Sequence, residues 1–578
     1  MFTASSRWRQ QLECFVRRHP FLLLVRHFCN RTAGVTSTSE LDFGLGGALA
    51  LLAIPGAFSA ILLMGKYSSL LQFLRGHLHF NPYSVCLPDE YFFIVYSMAV
   101  TGFITLMRWD QLLPDATDFA NLAPLPLSLR KIFMANVSAL GILAALFAID
   151  INLVSTLVFP LLVTMELNSV PAHLEFVFAH SLAVLGVSIF TFLALVALQG
   201  LLMAVFPTRM YRPAALAART CLLIVFTGTL ISVFLLPVSL LQVSYNSKSA
   251  GSWWPPLWFL SLFESHVGQL RSRSPLGETL AWKALVSALL MAMAGFSLSY
   301  KRHFLKTPER QTGPSSRSAV SWRPSVAVAR LFRPFFRPGL ETACFQFISR
   351  TLMRSETHLL FVGLWTGLGF LLTLESLRPT VAGQSMLLPD LLAPLTFTTL
   401  SLVGVRFVFD LPSAAHANWP FRLLASQGVN AVRAAARKLL LLVGLLPIVL
   451  LWFPFVVHAA GWRLAITYLY FYCCLMPLAA ELLLFKFQKI PFACPFRTNR
   501  DRLLRMVIGI LLFLLLGVPA LGSIENSVTA HPLTLPLFAS ACLGGFFWLK
   551  REGGCESETL IYEDAGNDAF VLLRLGGD

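Results

Sequence analysis

Few residues in this chain are placed to make or break bonds. The clearest are the adjacent carboxylates Asp89 and Glu90, which follow Leu87-Pro88 and precede an apolar run. Such a pair could bind a divalent ion or act as a general base, as a membrane-embedded, lipid-linked glycosyltransferase would require. It could equally cap the following helix, with proline in the first turn and carboxylates at the positive end of the dipole. Within the apolar runs the ionisable residues are Asp150, Lys283, Asp390, Arg406, Glu481 and histidines such as His180. Asp390, Arg406 and Glu481 sit near run ends, where water is in reach. That leaves Asp150 and Lys283 as a candidate buried pair, or as the proton relay of an ion-coupled secondary transporter, unless their side chains snorkel to the interface.

No phosphate-binding G-x-x-x-x-G-K-[ST] loop, H-E-x-x-H, G-x-S-x-G or dinucleotide fingerprint occurs. The ten cysteines are scattered, with one vicinal pair, Cys473-Cys474, and no C-x-x-C or Cys/His ligand spacing. The chain therefore reads as a non-enzyme with no cofactor or metal of its own.

A different kind of site is written in the segment Arg108 to Lys131, RWDQLLPDATDFANLAPLPLSLRK. It is too charged for lipid, with Arg108, Asp110, Asp115 and Asp118, and too rich in anchors such as Trp109, Leu112 and Phe119 to be a plain linker. It reads as a docking surface. A weaker copy lies downstream. Arg108-Trp-Asp-Gln-Leu-Leu113-Pro114 and Arg406-Phe-Val-Phe-Asp-Leu411-Pro412 share an R-x-x-x-x-L-P spacing, and each follows an apolar run long enough to cross a bilayer. The second copy continues through Asn418-Trp419-Pro420 to Lys438. Repetition of both the crossing and the loop after it points to two related halves.

The elements that must position these loops follow from composition. With 56% hydrophobic and 13% charged residues and a mean hydropathy of +0.69, the chain is an all-α polytopic membrane protein, since soluble domains carry about 25% charged residues. Twelve stretches can span a bilayer: Phe43–Met64, Tyr91–Met107, Ile132–Val154, Val177–Phe206, Thr220–Gln242, Thr279–Ser299, His358–Leu374, Leu387–Phe409, Leu439–Gly461, Arg463–Phe485, Leu503–Ile524 and His531–Leu549. The apolar stretch Ile132 to Met165 has room for a broken or re-entrant helix. The net charge of +16 does not signal nucleic acid. With the N-terminus inside, only Lys66, Arg75, Lys248, Arg271, Arg273, Arg378 and Arg463 fall outside, as the positive-inside rule requires. Both termini are expected in the cytoplasm.

Five regions result. Residues 1–40 hold no signal peptide. They carry a basic amphipathic stretch, Trp8 to Val25, which reads as a helix among anionic headgroups or as a disordered basic tail. Residues 41–300 form a first six-helix half and 356–549 a second. A basic cytoplasmic linker, 301–355, joins them. Its later part, Val326 to Arg354, has the composition of an interfacial helix. Residues 550–578 form an acidic tail with two β-like runs that could pair as a hairpin. Between the fifth and sixth spans, Trp253-Trp254-Pro255-Pro256-Leu257-Trp258-Phe259 reads as an aromatic belt or short re-entrant helix, or more sharply as a substrate-stacking platform.

Six spans per half, an amphipathic N-terminal helix, Leu125-Pro126-Leu127-Ser128-Leu129-Arg130-Lys131 before the third span and the insert Trp253–Phe259 together resemble the ABC-2 type exporter permeases, in their fused, double-length bacterial form. The likeness is best over residues 1–300. In the second half it rests on Asp410-Leu411-Pro412 and Ala417 to Phe421, without the L-P-x-S-x-R-K ending. The resemblance implies a subunit of the bacterial inner membrane that moves an amphipathic or lipid-like substrate. It further implies a separate cytosolic ABC-type ATPase, which holds the ATP and grips coupling helices after the second and eighth spans. Carried over, the docking residues are Arg108, Trp109, Asp110, Asp115 and Asp118, with Arg406, Asp410 and Trp419 as the counterpart.

Overall fold

The computed structural model describes residues 19–32, 66–67, 82–112, 128–165, 169–235, 253–267, 275–312, 339–376, 387–411, 425–485, 489–492 and 512–555, with single positions at 63, 122, 487 and 509. No strand occurs among them. The first expected span, residues 1–18, Asp115, Asp118, Trp419 and the β-like runs of the tail lie outside the described residues, wholly or nearly so. The chain divides into two compact units, Met1–Arg317 and Ser318–Asp578. The division falls inside the basic segment expected to join the halves.

The first unit contains α1 (Pro20–Thr32), α2 (Pro82–Met107), α3 (Leu129–Thr164), α4 (Val170–Val205), α5 (Thr208–Leu235), α6 (Pro255–His266) and α7 (Pro275–Thr312). Of the amphipathic stretch Trp8 to Val25 only the part from residue 19 on is described, and it forms the start of α1. α1 buries Leu24, Val25 and Phe28, one helical stripe, and packs them on α3, while Arg26 and His27 stay exposed. α2 begins at Pro82 rather than at Tyr91, so Pro88 falls inside the helix and neither Asp89 nor Glu90 caps it. The stretch with room for a break is one continuous helix. α3 has 36 residues, roughly 54 Å at about 1.5 Å per residue, against a hydrocarbon core of about 30 Å. Tilt, or terminal turns standing outside the hydrocarbon, takes up the excess. Pro160 lies within α3, and the Thr164 hydroxyl donates to its carbonyl at 2.7 Å. One face of α3 presents Ile142, Ile149, Leu153 and Leu157 outward, as a helix bathed in lipid should.

α4 and α7 approach each other closely. A Cβ added to Gly200 would stand 2.6 Å from the backbone carbon of Gly295, so the two backbones meet where neither residue has a side chain. The tryptophan-rich insert contains the short helix α6, packed on α2, α4 and α7. Trp254 Nε1 donates to the Tyr91 hydroxyl at 3.0 Å, and Trp253 is exposed.

The second unit contains α8 (Leu340–Arg354), α9 (Glu356–Ser376), α10 (Leu387–Val408), α11 (Ala425–Pro447), α12 (Phe453–Ala460), α13 (Trp462–Leu483), α14 (Val518–Ala530) and α15 (Leu535–Cys555). α11 runs into α12 through a π turn, Ile448–Trp452, between Pro447 and Pro454, whose missing donors relax the hydrogen-bond ladder there. The core gathers around Tyr468, Phe471 and Tyr472 of α13. α8 repeats the role of α1: it buries Cys344, Ile348 and Leu352 at four-residue spacing against α11 and leaves Arg350 and Arg354 exposed.

Eight helices among the described residues are long and apolar enough to cross a membrane, five in the first unit and three in the second. A shorter apolar helix, Pro394–Val408, adds to them.

Candidate functional site

The turn that follows α2 is fastened to three other helices. Arg108 leaves the helix with ψ near 12°, and Trp109–Gln111 form a single 3-10 turn. Trp109 is only 2% exposed, and its carbonyl accepts from Gln199 Nε2 of α4 at 3.0 Å. The Leu112 carbonyl accepts from Asn136 Nδ2 of α3 at 3.3 Å. Asp110, 69% exposed, meets Arg219 Nη1 of α5 at 2.8 Å, and Arg219 Nη2 donates to the Met107 carbonyl at 3.2 Å. Arg108 donates to Gln111 at 3.0 Å rather than to Asp110. Of the docking residues in this turn, Trp109 therefore works as an internal wedge. The Asp110 carboxylate is the part that faces outward.

The corresponding turn after α10 has a similar clasp made from other parts. Arg406 donates through Nε to the Leu483 carbonyl at 2.9 Å and through Nη1 to Asp410 at 2.8 Å, and its guanidinium lies 4.5 Å over the Phe487 ring. His358 Nε2 sits 3.0 Å from the Leu411 carbonyl, and the Phe492 N–H donates to the Phe409 carbonyl at 3.2 Å. Phe492 holds φ at +66°, a conformation disfavoured for a bulky residue, with its ring buried beside His358 and Phe409. The Arg406–Asp410 bond spans one helical turn and is legible from spacing. Arg219, the partner of Asp110, was not. The sequence offered for it only a cluster with Arg209 and Arg212, in what the structure shows to be the start of α5.

The acidic pair splits. Adjacent residues on a helix point about 100° apart. Asp89 faces Lys66 Nζ at 2.6 Å and the Tyr67 hydroxyl. Glu90 turns inward to His180 Nδ1 of α4 at 2.7 Å. Among the described residues no three His, Cys, Asp or Glu side chains gather as a metal site would need. Further along the same helices, Ser97 of α2 bonds Asn152 of α3, whose Nδ2 donates to Ser188 of α4 at 3.3 Å. Asp150 has one buried carboxylate oxygen without a partner, whereas Lys283 is exposed on α7, and no ion pair joins them. In the second unit, buried Glu481 of α13 faces Arg433 at 2.8 Å and Arg437 at 3.1 Å, both of α11, and Lys438 pairs with Glu341 of α8.

Together these features define an all-α, multi-pass membrane protein. In comparisons with protein-family models, curated proteins and solved structures, nothing matches the chain.

Proposed function

We propose that the chain is the membrane-spanning permease subunit of an ATP-driven exporter in a bacterial inner membrane, energised by a separate ATPase that docks on segments 108–131 and 410–438, the last parts of which belong to α3 and α11. One observation carries this reading. The first described helix of each unit is amphipathic and laid on a later long helix, and in each unit an apolar helix runs into a turn whose carboxylate is clasped by arginine. A coupling loop must transmit force, so it must be rigidly tied to the spans it moves. The Asp110 turn meets that demand through α3, α4 and α5. The work is mechanical: a push on the turn tilts several helices together and switches access. No residue need be catalytic, and the substrate is amphipathic or lipid-like.

The test is gentle extraction of the full chain from its own membranes, followed by identification of any nucleotide-binding subunit and assay of ATP hydrolysis in the preparation. Asp110→Lys reverses an exposed charge without touching the wedge, and should release the ATPase while the permease stays folded. An intact permease that carries no ATPase activity under any gentle extraction overturns the reading. A second reading, ion-coupled secondary transport, draws on the unpartnered buried oxygen of Asp150, and predicts transport driven by an ion gradient without ATP.

A further inference from the structure

Glu90 and His180 take no part in the clasp or in the docking loops. Both side chains are fully buried, and His180 Nδ1 lies 2.7 Å from Glu90 Oε2. The walls are aromatic: the His180 ring meets Phe93 edge-on at 5.7 Å and Phe159 at 5.4 Å, and Phe176 backs Phe159 at 5.7 Å. The two outer atoms of the pair, Glu90 Oε1 and His180 Nε2, are buried without any hydrogen-bond partner. A pair kept only for structure is normally satisfied on every side, because an unmet buried polar atom is destabilising. Two donor atoms are too few for a dry metal site. The occupant that fits a carboxylate and an imidazole in contact, with no hydrogen-bond partner on their outer atoms, is a proton.

We propose that Glu90 and His180 form a proton-binding site within the first unit, reached from the Asp89 end of α2. Counting from neutral imidazole and carboxylate, the pair holds one extra proton and is then net neutral. Loss of that proton leaves a bare anion among phenyl rings. The proton stays while α2 and α4 are packed together, and passes to water when they part and the pair is wetted. The surrounding titratable groups are mostly engaged already. On the 66–67 segment, Lys66 and Tyr67 are committed to Asp89, and burial together with the nearby Asp89 charge holds the Tyr67 phenol above its ordinary range. α2 adds Cys86 and Tyr91, the latter bonded to Trp254. α4 adds His173, bonded to Thr164, and Glu175; α6 adds Glu264 and His266. α3 faces the pair with Phe159 and carries no titratable group nearer in sequence than Asp150. The Ser97–Asn152–Ser188 layer crosses the same three helices about two turns along, roughly 10 Å away, and its groups bond one another. Asp89, partly exposed one residue before Glu90, stands at the other end, so the route is assigned past Asp89. The assignment stands apart from the exporter reading.

The test uses the full chain in lipid nanodiscs, scanned from about pH 4 to pH 9 to cover the ordinary carboxylate and imidazole ranges. Infrared difference spectra read the carboxyl band, and nitrogen NMR of labelled histidine reads the His180 ring. Expected is a carboxyl change that shares its midpoint with the His180 signals, vanishes in Glu90→Gln and moves in Asp89→Asn. A carboxyl change that survives Glu90→Gln, or a Glu90 and His180 that titrate independently or not at all while the protein stays folded, overturns the assignment. If Glu90→Gln fails to fold, the shared midpoint in the unsubstituted protein decides alone.

Discussion

The Arg219 guanidinium reaches across 109 positions of sequence to hold the Asp110 carboxylate at 2.8 Å. Through Nη2 it also donates to the Met107 carbonyl at the end of α2. One side chain thus ties the outward carboxylate and the helix end to α5. In the second unit Arg406 does similar work from within α10 itself.

Loss of the two partners should be unequal. Asp110 is largely exposed, so Asp110→Asn should cost less than about 1 kcal/mol, the usual range for a solvated ion pair. Arg219→Ala should cost about 1–3 kcal/mol, because it also strips a part-buried carbonyl of its donor. Thermal unfolding of the detergent-solubilised protein checks the order. Equal losses would mean that the Met107 contact contributes nothing.

Trp109→Ala should behave as a core deletion, destabilising by about 3–5 kcal/mol, whereas Trp109→Phe should keep most of the packing. If Trp109 were instead a surface anchor for a partner, the alanine variant would melt like the parent protein.

Glu481→Gln should be among the most damaging single changes in the second unit. It leaves Arg433 and Arg437 facing a neutral group inside the protein, and breaking a buried pair from one side typically costs about 3–5 kcal/mol. Combining Glu481→Leu with Arg433→Met should recover part of that loss. A double variant no more stable than Glu481→Gln would count against the pairing.

The α4–α7 crossing predicts an asymmetry between two glycines. A Cβ on Gly200 would collide with the Gly295 backbone, whereas a Cβ on Gly295 would find its nearest neighbours at 3.4 Å, ordinary contact. Gly200→Ala should therefore destabilise by about 1–3 kcal/mol, and Gly295→Ala should be neutral or stabilise by up to about 1 kcal/mol through helix propensity. Comparison of the two melting temperatures is sufficient.

Cys344 should resist alkylation. Burial, and then the nearby Glu341 charge, push its thiol above the ordinary cysteine range. The reactive thiolate is accordingly scarcer at neutral pH, and it gains population only as pH rises. In a variant that keeps Cys344 as its sole cysteine, maleimide labelling should be slow in the native state and fast after denaturation. Rapid native labelling would place α8 away from α11.

The sequence by itself determined that this chain lives in a membrane and is helical, because long apolar runs with few charges leave the backbone no other way to satisfy its hydrogen bonds in lipid. The four-residue spacing of Arg406 and Asp410 is that of a helical pair, and a short helix was one reading of the tryptophan-rich insert, now α6. Other features were beyond its reach. Arg219 rather than Arg108 serves Asp110, His180 lies against Glu90, Trp109 turns inward, and α3 runs unbroken through Pro160. Each of the three contacts depends on how far each helix is rotated about its own axis when packed. That rotation is set by the summed fit of many side chains and of close-approach residues such as Gly200 and Gly295. The continuity of α3 is likewise a matter of tertiary support, since its neighbours hold the helix together where a proline alone would break it.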